Sequence, residues 1–467
     1  MTHAKFPPGE SSGLSRRELL RHGAMLSAAG ASPFVVNLAA MGAAAAQTAS
    51  DYKALVVIFL NGGNDHANTI VPYDTVTWGA YNKLRPNLAY TRDRLAATAL
   101  SPKAPLADGV QYALAPELAS LLPLFSGGAL TTLLNVGTLV EPTTRAQYLA
   151  KSVKLPPKLG SHNDQRSYWQ SEQPEGATSG WGGRIGDLFA SSNSNATFTC
   201  IGTGGNATFL SGMRTSQFQI ASSGSVPVNA IKSNNLAGSA ACAAALRATM
   251  TGTRVHLLEN EYARVCTRSI ESNTIVSTAL AGAVVKTVFP TSLLGAQLSV
   301  IAKMIAARSA LGAKRQVFLA SLGDFDTHAN LLATHPLLLK DLGDSLAAFY
   351  AATVELGVSR QVTSFTASEF GRTILSNSSG SDHGWGSSHL VIGGAVNGKS
   401  FVGKSPVYAN NGPDDIGQGR LIPTTSVDQL AATLANWFGV SASDQLALLP
   451  NLSNFSTRNL GFMSAPD

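Results

Sequence analysis

KALVVIFLNGG, from Lys53 to Gly63, is a short apolar run cut off by Asn61 and two glycines. A run this brief, rich in branched residues and without polar alternation, reads as a strand buried on both faces, the habit of a parallel sheet. Outward from it the pattern repeats. LTTLLNVG (Leu130–Gly137), TFTCIGT (Thr197–Thr203), RQVFLASLGDFDTH (Arg315–His328), RQVTSFTASEFG (Arg360–Gly371) and HLVIGGAV (His389–Val396) are strand-like. Between them LASLLPLF (Leu118–Phe125), GWGGRIGDLFASS (Gly180–Ser192), PLLLKDLGDSLAAFYAATVELG (Pro336–Gly357) and TTSVDQLAATLANWFG (Thr424–Gly439) have helical periodicity. The third of these places Pro336 in its first turn, and the last has Ser426 as its cap. Strands alternating with helices predict an α/β domain, a mostly parallel sheet covered on both faces. A Ser-, Gly- and Asn-rich stretch and a long helical block broken at Pro290 predict a helical and loop insertion at about 205–312.

The N-terminus follows different rules. SRRELLRHG sets Arg16 and Arg17 side by side before a mildly apolar, Ala-rich run ending MGAAAAQ. Paired arginines, a weak apolar stretch broken by Pro33 and small residues before a cut predict a twin-arginine export signal over residues 1–46. A membrane anchor is the alternative, but Ser, Gly, Pro and Asn interrupt the run. Residues 47–467 then form one domain, placed in the periplasm or outside the cell. The signal holds four basic and two acidic residues, so its removal takes the net charge from +6 to +4. A charge so small and scattered excludes a nucleic-acid partner. Charged residues make up 13% of the chain, about half the usual ~25%. Three cysteines, Cys200, Cys242 and Cys266, leave at least one thiol unpaired. Cys242 and Cys266, in helical-looking sequence, are open to pairing. No CxxC or Cys/His cluster exists for a thiolate metal site.

In a chain so poor in charge, the polar loops stand out. In open α/β sheets ligands bind beyond the carboxyl ends of the strands. NGGNDHANT follows the first strand and carries Asn61, Asp65, His66 and Thr69. GDFDTHAN follows the Arg315 strand with Asp324, Asp326 and His328, and SEFGRT follows the Arg360 strand with Glu369 and Arg372. SDHGWGSSH adds Asp382, His383 and His389, and GSHNDQRSYW adds Ser161, His162 and Asp164. Five of the seven histidines beyond the signal fall in these loops, whereas His256 and His335 read as structural. Carboxylates with neutral imidazoles suit Zn, Mn or Fe; oxygen-rich variants suit Mg or Ca. One or two such ions can clamp a phosphoryl or sulfuryl group.

The export signal, FLNGGNDHANTIVPY, FDTHAN, SEFGRT and DHGWG, in this order, resemble an exported bacterial family known as domain of unknown function 1501. The resemblance spans essentially the whole mature chain. It implies an alkaline-phosphatase-like fold, grouped remotely with sulfatases. It also implies residue roles where positions match. Asp324 and His328 have the D-x-x-x-H spacing of one metal's ligands. Asp382 and His383 match the Asp-His-Gly of the other, and His389 is the further histidine. Asn61 stands where an early aspartate closes the first strand, so Asp65 is the ligand candidate there. Ser161 is the candidate nucleophile, with Thr69 its rival, and Arg372 the candidate oxyanion clamp. Asp326 is an alternative to Asp324 or an orienting partner for His328. Glu369 either ligates or pairs with Arg372, His162 either ligates or hydrogen-bonds its loop, and His66 is an outer partner.

The expected activity is metal-dependent hydrolysis or transfer of a phosphate or sulfate ester, on a small molecule or a polymer. The alternative is a non-catalytic, metal-stabilised envelope protein that assists secretion or surface assembly with a co-exported partner. An oxidoreductase is disfavoured by the absence of GxGxxG after the first strand.

Overall fold

The computed structural model describes residues 49–464, so the expected export signal lies outside the described residues. In chain order the strands are β1 (Lys53–Leu60), β2 (Ile70–Pro72), β3 (Tyr112–Leu114), β4 (Leu130–Gly137), β5 (Cys200–Gly202), β6 (Phe218–Gln219), β7 (Arg315–Leu322), β8 (Val362–Ala367), β9 (Ser387–Gly393), β10 (Ser400–Val402) and β11 (Thr425–Ser426).

β1 explains why its sequence shows no alternation. All eight residues are buried, but successive side chains enter different cores. Ala54, Val56, Ile58 and Leu60 join a cluster with Leu298, Ile301, Leu342 and Leu346 of the helices Leu293–Ala306 and Leu331–Glu355. Leu55, Val57 and Phe59 join Trp181, Ile185, Leu430 and Leu434 of the helices Trp181–Phe189 and Val427–Phe438. Both faces of the sheet are therefore covered by helices. Each fully buried Leu, Ile, Val or Phe contributes roughly 1.5–3 kcal/mol, and a one-residue slip would exchange the two cores.

β1 lies between β7 and β8, parallel to both. The nine-stranded sheet runs β10-β4-β9-β8-β1-β7-β5-β6, with β11 also on β4, while β2 and β3 form a separate antiparallel ribbon. β9 is antiparallel to both neighbours, β4 and β8. It therefore enters the sheet at the edge where β1, β7 and β8 leave it. The segment before β9 thus reaches the same edge as the segments after the other three strands.

The helices refine the sequence reading. Ser426 and Gln429 form a capping box, and Gly439 at φ 115° ends the helix Val427–Phe438. The helix expected to begin at Pro336 begins at Leu331 instead. Its buried stripe, Leu331, His335, Leu339, Leu342, Leu346 and Phe349, keeps helical spacing across the proline, and burial of that stripe outweighs one missing backbone donor. Within the expected insertion, β6 joins the main sheet and Leu293–Ala306 is buried against it. The helices Ala240–Thr251 and Leu257–Ala281 are mostly exposed. All three cysteines are free, so Cys242 and Cys266 do not pair. No helix among the described residues is long and apolar enough to cross a membrane. The described residues form one compact unit.

Candidate metal centre

Four segments converge where β1, β7 and β8 end and β9 begins. Their approach is close: Gly62 has φ 117°, and a Cβ there would overlap the backbone nitrogen of Asp326. A fifth segment arrives on a helix rather than the expected loop. Ser161 caps the helix His162–Ser171, accepting from the Asp164 N–H, and His162 opens its first turn.

Asp326 is the focus. Nε2 of His383 lies 3.1 Å from its Oδ1, Nε2 of His328 3.2 Å from the same atom, and Nε2 of His162 3.4 Å from Oδ2. His162, Asp326 and His383 offer ligand atoms that all lie within 4.8 Å of one another. The Nε2 atoms of His328 and His383 are 2.9 Å apart. At the other side of each ring Nδ1 faces an oxygen: Glu369 Oε1 at 2.9 Å for His162, Asp382 Oδ1 at 3.0 Å for His328, and the Gly160 carbonyl at 2.7 Å for His383. Oxygen acceptors call for Nδ1–H, so each ring in its neutral form presents an Nε2 lone pair inward. Histidines that hold metals are oriented by this second hydrogen bond. Phe370 packs on two of the rings, with centroids 5.0 Å from His162 and 4.6 Å from His383.

The charges around the ring are arranged for this. Glu369 Oε1 also accepts from the Gly62 N–H and, at 3.4 Å, from Arg166 Nη2. Burial pulls the Glu369 carboxyl upward, but the His162 hydrogen bond and these donors outweigh it and hold it below the usual range. The Glu369 hydrogen bond in turn raises His162 against the effect of burial. Burial lowers His383, against the raising effect of the Gly160 and Asp326 hydrogen bonds. Asp326 is pushed up by burial and pulled further down by Arg372 and His383.

Of the residues singled out in the sequence, His328 and His383 enter this group, together with His162. Asp326 occupies the place expected of Asp324, which is exposed at φ 69°. Asp382 orients His328 and also accepts from Asn377 at 2.8 Å, so it supports a ligand. Asp65 is not available: it is fully buried, with Arg85 Nη1 and Nη2 on its two oxygens at 2.9 and 2.6 Å and Ser381 Oγ donating at 2.7 Å. His389 lies inside β9 against Trp169, with a centroid distance of 6.1 Å, and burial lowers it to about 3. Its place in β9 turns it into the core. His66 is likewise buried, with no hydrogen-bond partner on either ring nitrogen.

Arg372 is not placed to clamp a substrate. Its side chain is inaccessible, and it donates to Asp326 Oδ1 at 2.6 Å, the Gly62 carbonyl at 3.0 Å and the Ser381 carbonyl. It positions Asp326. Arg166, which the sequence reading did not single out, is a guanidinium at the site that reaches solvent, at 40% exposure. Its i, i+4 relation to His162 was the available signal. Ser161 Oγ donates to Asp164 Oδ2 at 2.8 Å. Thr69 is buried and bonded to Asn64 and the Asp65 carbonyl.

Histidine nitrogens with one carboxylate suit a borderline cation such as Zn²⁺ or Mn²⁺ better than Mg²⁺ or Ca²⁺, which favour oxygen. The donor set fits a single ion.

Comparison with solved structures gives loose likenesses. Ps i-CgsB in complex with k-i-k-neocarrahexaose is 10% identical, covering 87% of this chain and 77% of its own at a TM-score of 0.35. The lipoteichoic acid synthase LtaP from Listeria monocytogenes is 7% identical, covering 88% and 80% at a TM-score of 0.34. Comparison with curated proteins returned no match. The sequence profile described as "Protein of unknown function (DUF1501)" matches residues 52–448, and the chain belongs to that family.

Proposed function

We propose that this protein is a metal-dependent hydrolase or transferase of phosphate or sulfate esters. It would act in the periplasm or outside the cell after export by the twin-arginine pathway. One observation carries the reading. Three imidazole Nε2 atoms, each with its Nδ1 directed to an oxygen, converge on the Asp326 carboxylate. Lone pairs facing lone pairs repel unless a cation or protons lie between them.

His162, Asp326 and His383, with His328 beside them, would hold one divalent ion. When bound, the ion supplies Lewis acidity to an ester oxygen. The chain's own groups do the rest. Glu369, Asp382 and the Gly160 carbonyl orient the imidazoles, and Arg372 orients the carboxylate. Arg166 offers a guanidinium to the anionic group of an arriving ester, a match of planar donors to tetrahedral oxygens. Ser161, one residue before a ligand and at a helix N-terminus, is the proposed nucleophile. Asp164, hydrogen-bonded to its hydroxyl, is placed to accept the proton. A second ion lacks a carboxylate: Asn61 is neutral, and Asp65 is committed to Arg85.

Openness favours catalysis over a purely structural metal. Asp326 and His328 side chains are 45% and 46% exposed, whereas structural sites close their coordination shell. The test is elemental analysis of purified mature protein beside the Asp326→Ala/His383→Ala variant, followed by a panel of phosphate and sulfate esters. The reading expects about one ion per chain, lost in the variant, and ester turnover that depends on it. Metal content equal in both proteins, or metal-loaded protein inert on the whole panel, would overturn it.

A further inference from the structure

Next to the metal centre a cavity of about 370 Å³ opens to solvent. One wall is the helix His162–Ser171, whose residues Asn163, Arg166, Ser167 and Gln170 face it at i, i+3, i+4 and i+7. The same helix places His162 among the ligands. Opposite stand Asn61, at the end of β1, and Asn206, beyond β5. Resting on the ester-processing reading above, we infer that this cavity seats the alcohol part of the ester. The alcohol it fits is uncharged and polyhydroxylated, as a sugar is.

Three observations carry this. The first is the lining. Asn and Gln amides each offer donors and acceptors, as hydroxyls do. Gln170 is fixed by accepting the Phe209 N–H at 3.1 Å, which leaves its NH₂ for the cavity. Ser167 Oγ donates to the Pro174 carbonyl at 2.9 Å and keeps its lone pairs. Phe59 and Leu319 are the large apolar side chains in the lining, too few to receive an acyl chain or an aryl group.

The second is continuity. Arg166 Nη2 bonds the same Glu369 oxygen that orients His162, so the cavity and the metal centre share a wall. From His162 to Gln170 the helix rises about 12 Å. That is longer than a phosphate or sulfate group needs and leaves length for a ring-sized alcohol. The volume lies within the ~300–1,000 Å³ usual for small-ligand sites.

The third is polarity. The cation, Arg166, sits near the metal end. Glu175, which follows the Pro174 whose carbonyl accepts from Ser167 Oγ, also lines the cavity. A second anionic group there would face a carboxylate. A neutral body with one anionic end matches both.

The test is binding rather than turnover, so that it stands apart from the catalytic reading. Calorimetry on mature protein, metal-loaded and metal-stripped, would compare glucose 6-phosphate and glucose 6-sulfate with phenyl phosphate and inorganic phosphate. The expected result is at least tenfold tighter binding of the sugar esters than of phenyl phosphate in the loaded protein. Asn163→Leu and Asn206→Leu should each weaken the sugar esters about fivefold or more while leaving inorganic phosphate unchanged. Both are partly or fully exposed positions, so folding is preserved, and Gln170→Leu is a third variant with circular dichroism as its control. Phenyl phosphate binding as tightly as the sugar esters, or variants that bind both classes as wild type does, would overturn the inference. If no metal is present but the stripped protein still prefers sugar esters with the same variant pattern, the metal reading fails and the cavity assignment stands.

Discussion

Replacing Arg85 by Met should cost the folded protein roughly 3–5 kcal/mol. Asp65 and Arg85 have no exposed side-chain surface, and the guanidinium meets the carboxylate through two bonds, of 2.6 and 2.9 Å. Burial pushes the Asp65 carboxyl up, but the Arg85 charge and hydrogen bonds pull it well below the ordinary range. Methionine fills much of the space but removes the cation. Asp65 then keeps Ser381 Oγ and the Asn68 N–H, and nearby His335, lowered by burial to about 4, stays neutral. An uncompensated buried carboxylate must take a proton or stay charged at high cost. The double variant Asp65→Asn/Arg85→Met removes that charge while its amide oxygen still caps Asn68, so it should recover at least half the loss. Urea unfolding of the mature protein at pH 7 measures all three. The pH dependence has a definite sign. A depressed folded pKa gives stability that is present above the unfolded value of 3.8 and lost as pH falls. In Arg85→Met the unpaired carboxyl is raised above that unfolded value, so the gap between wild type and variant should already narrow as pH falls toward 3.8 and go on narrowing below it. A cost under about 1 kcal/mol, or a double variant no more stable than the single, would refute the account. Because Ser381 precedes Asp382 and His383, Arg85→Met should also weaken metal binding.

Glu369→Gln should weaken metal binding about 10–100-fold, read by competition with a chelator, since a neutral amide polarises His162 less than a carboxylate does; unchanged affinity would contradict the role given to Glu369. Ser161→Ala should abolish ester turnover at unchanged metal content and cost about 1 kcal/mol as a lost cap; turnover retained at wild-type metal content would remove Ser161 from the mechanism. Burial raises the Asp428 carboxyl from 3.8 to about 7, so the folded chain keeps a proton that the unfolded chain releases. Stability should fall between about pH 4 and pH 7, by up to about 4 kcal/mol. The Asp428→Asn variant should lack that slope in urea titrations across the range, and a parallel slope in both proteins would show that Asp428 is not its source.

The fold was legible where residue patterning acts locally. Eight buried positions in β1 and the Ser426 cap are written into short windows of sequence. Strand direction is not. Nothing in HLVIGGAV says that β9 runs against its neighbours, yet that reversal brings Asp382 and His383 to the site from before a strand. The choice between Asp324 and Asp326 was equally hidden. D-x-x-x-H spacing is informative only on regular backbone, and Asp324 sits at φ 69° in an irregular turn, so the carboxylate two residues later faces the histidines. Asp65 was misread because its partner, Arg85, is 20 residues away in sequence, and no local pattern ties the two together.

The same geometry explains why one carboxylate, rather than two, organises the centre. Asp326 Oδ1 receives Arg372 Nη1 at 2.6 Å, which fixes the carboxylate plane and leaves Oδ2 turned toward His162. Arg372 is held in turn by the Gly62 and Ser381 carbonyls, one from the segment after β1 and one from the segment before β9. The ligand carboxylate is thereby tied to both neighbouring segments through a buried cation. Ser381 is anchored again by Asp65. Arg85 and Arg372, both buried, thus act at one remove from the proposed metal site: each neutralises an aspartate, and Ser381 links the two pairs. Asn61 ends β1 without a charge, and its amide donates to the Phe59 carbonyl at 3.4 Å. That neutral side chain is in keeping with the single ion proposed above.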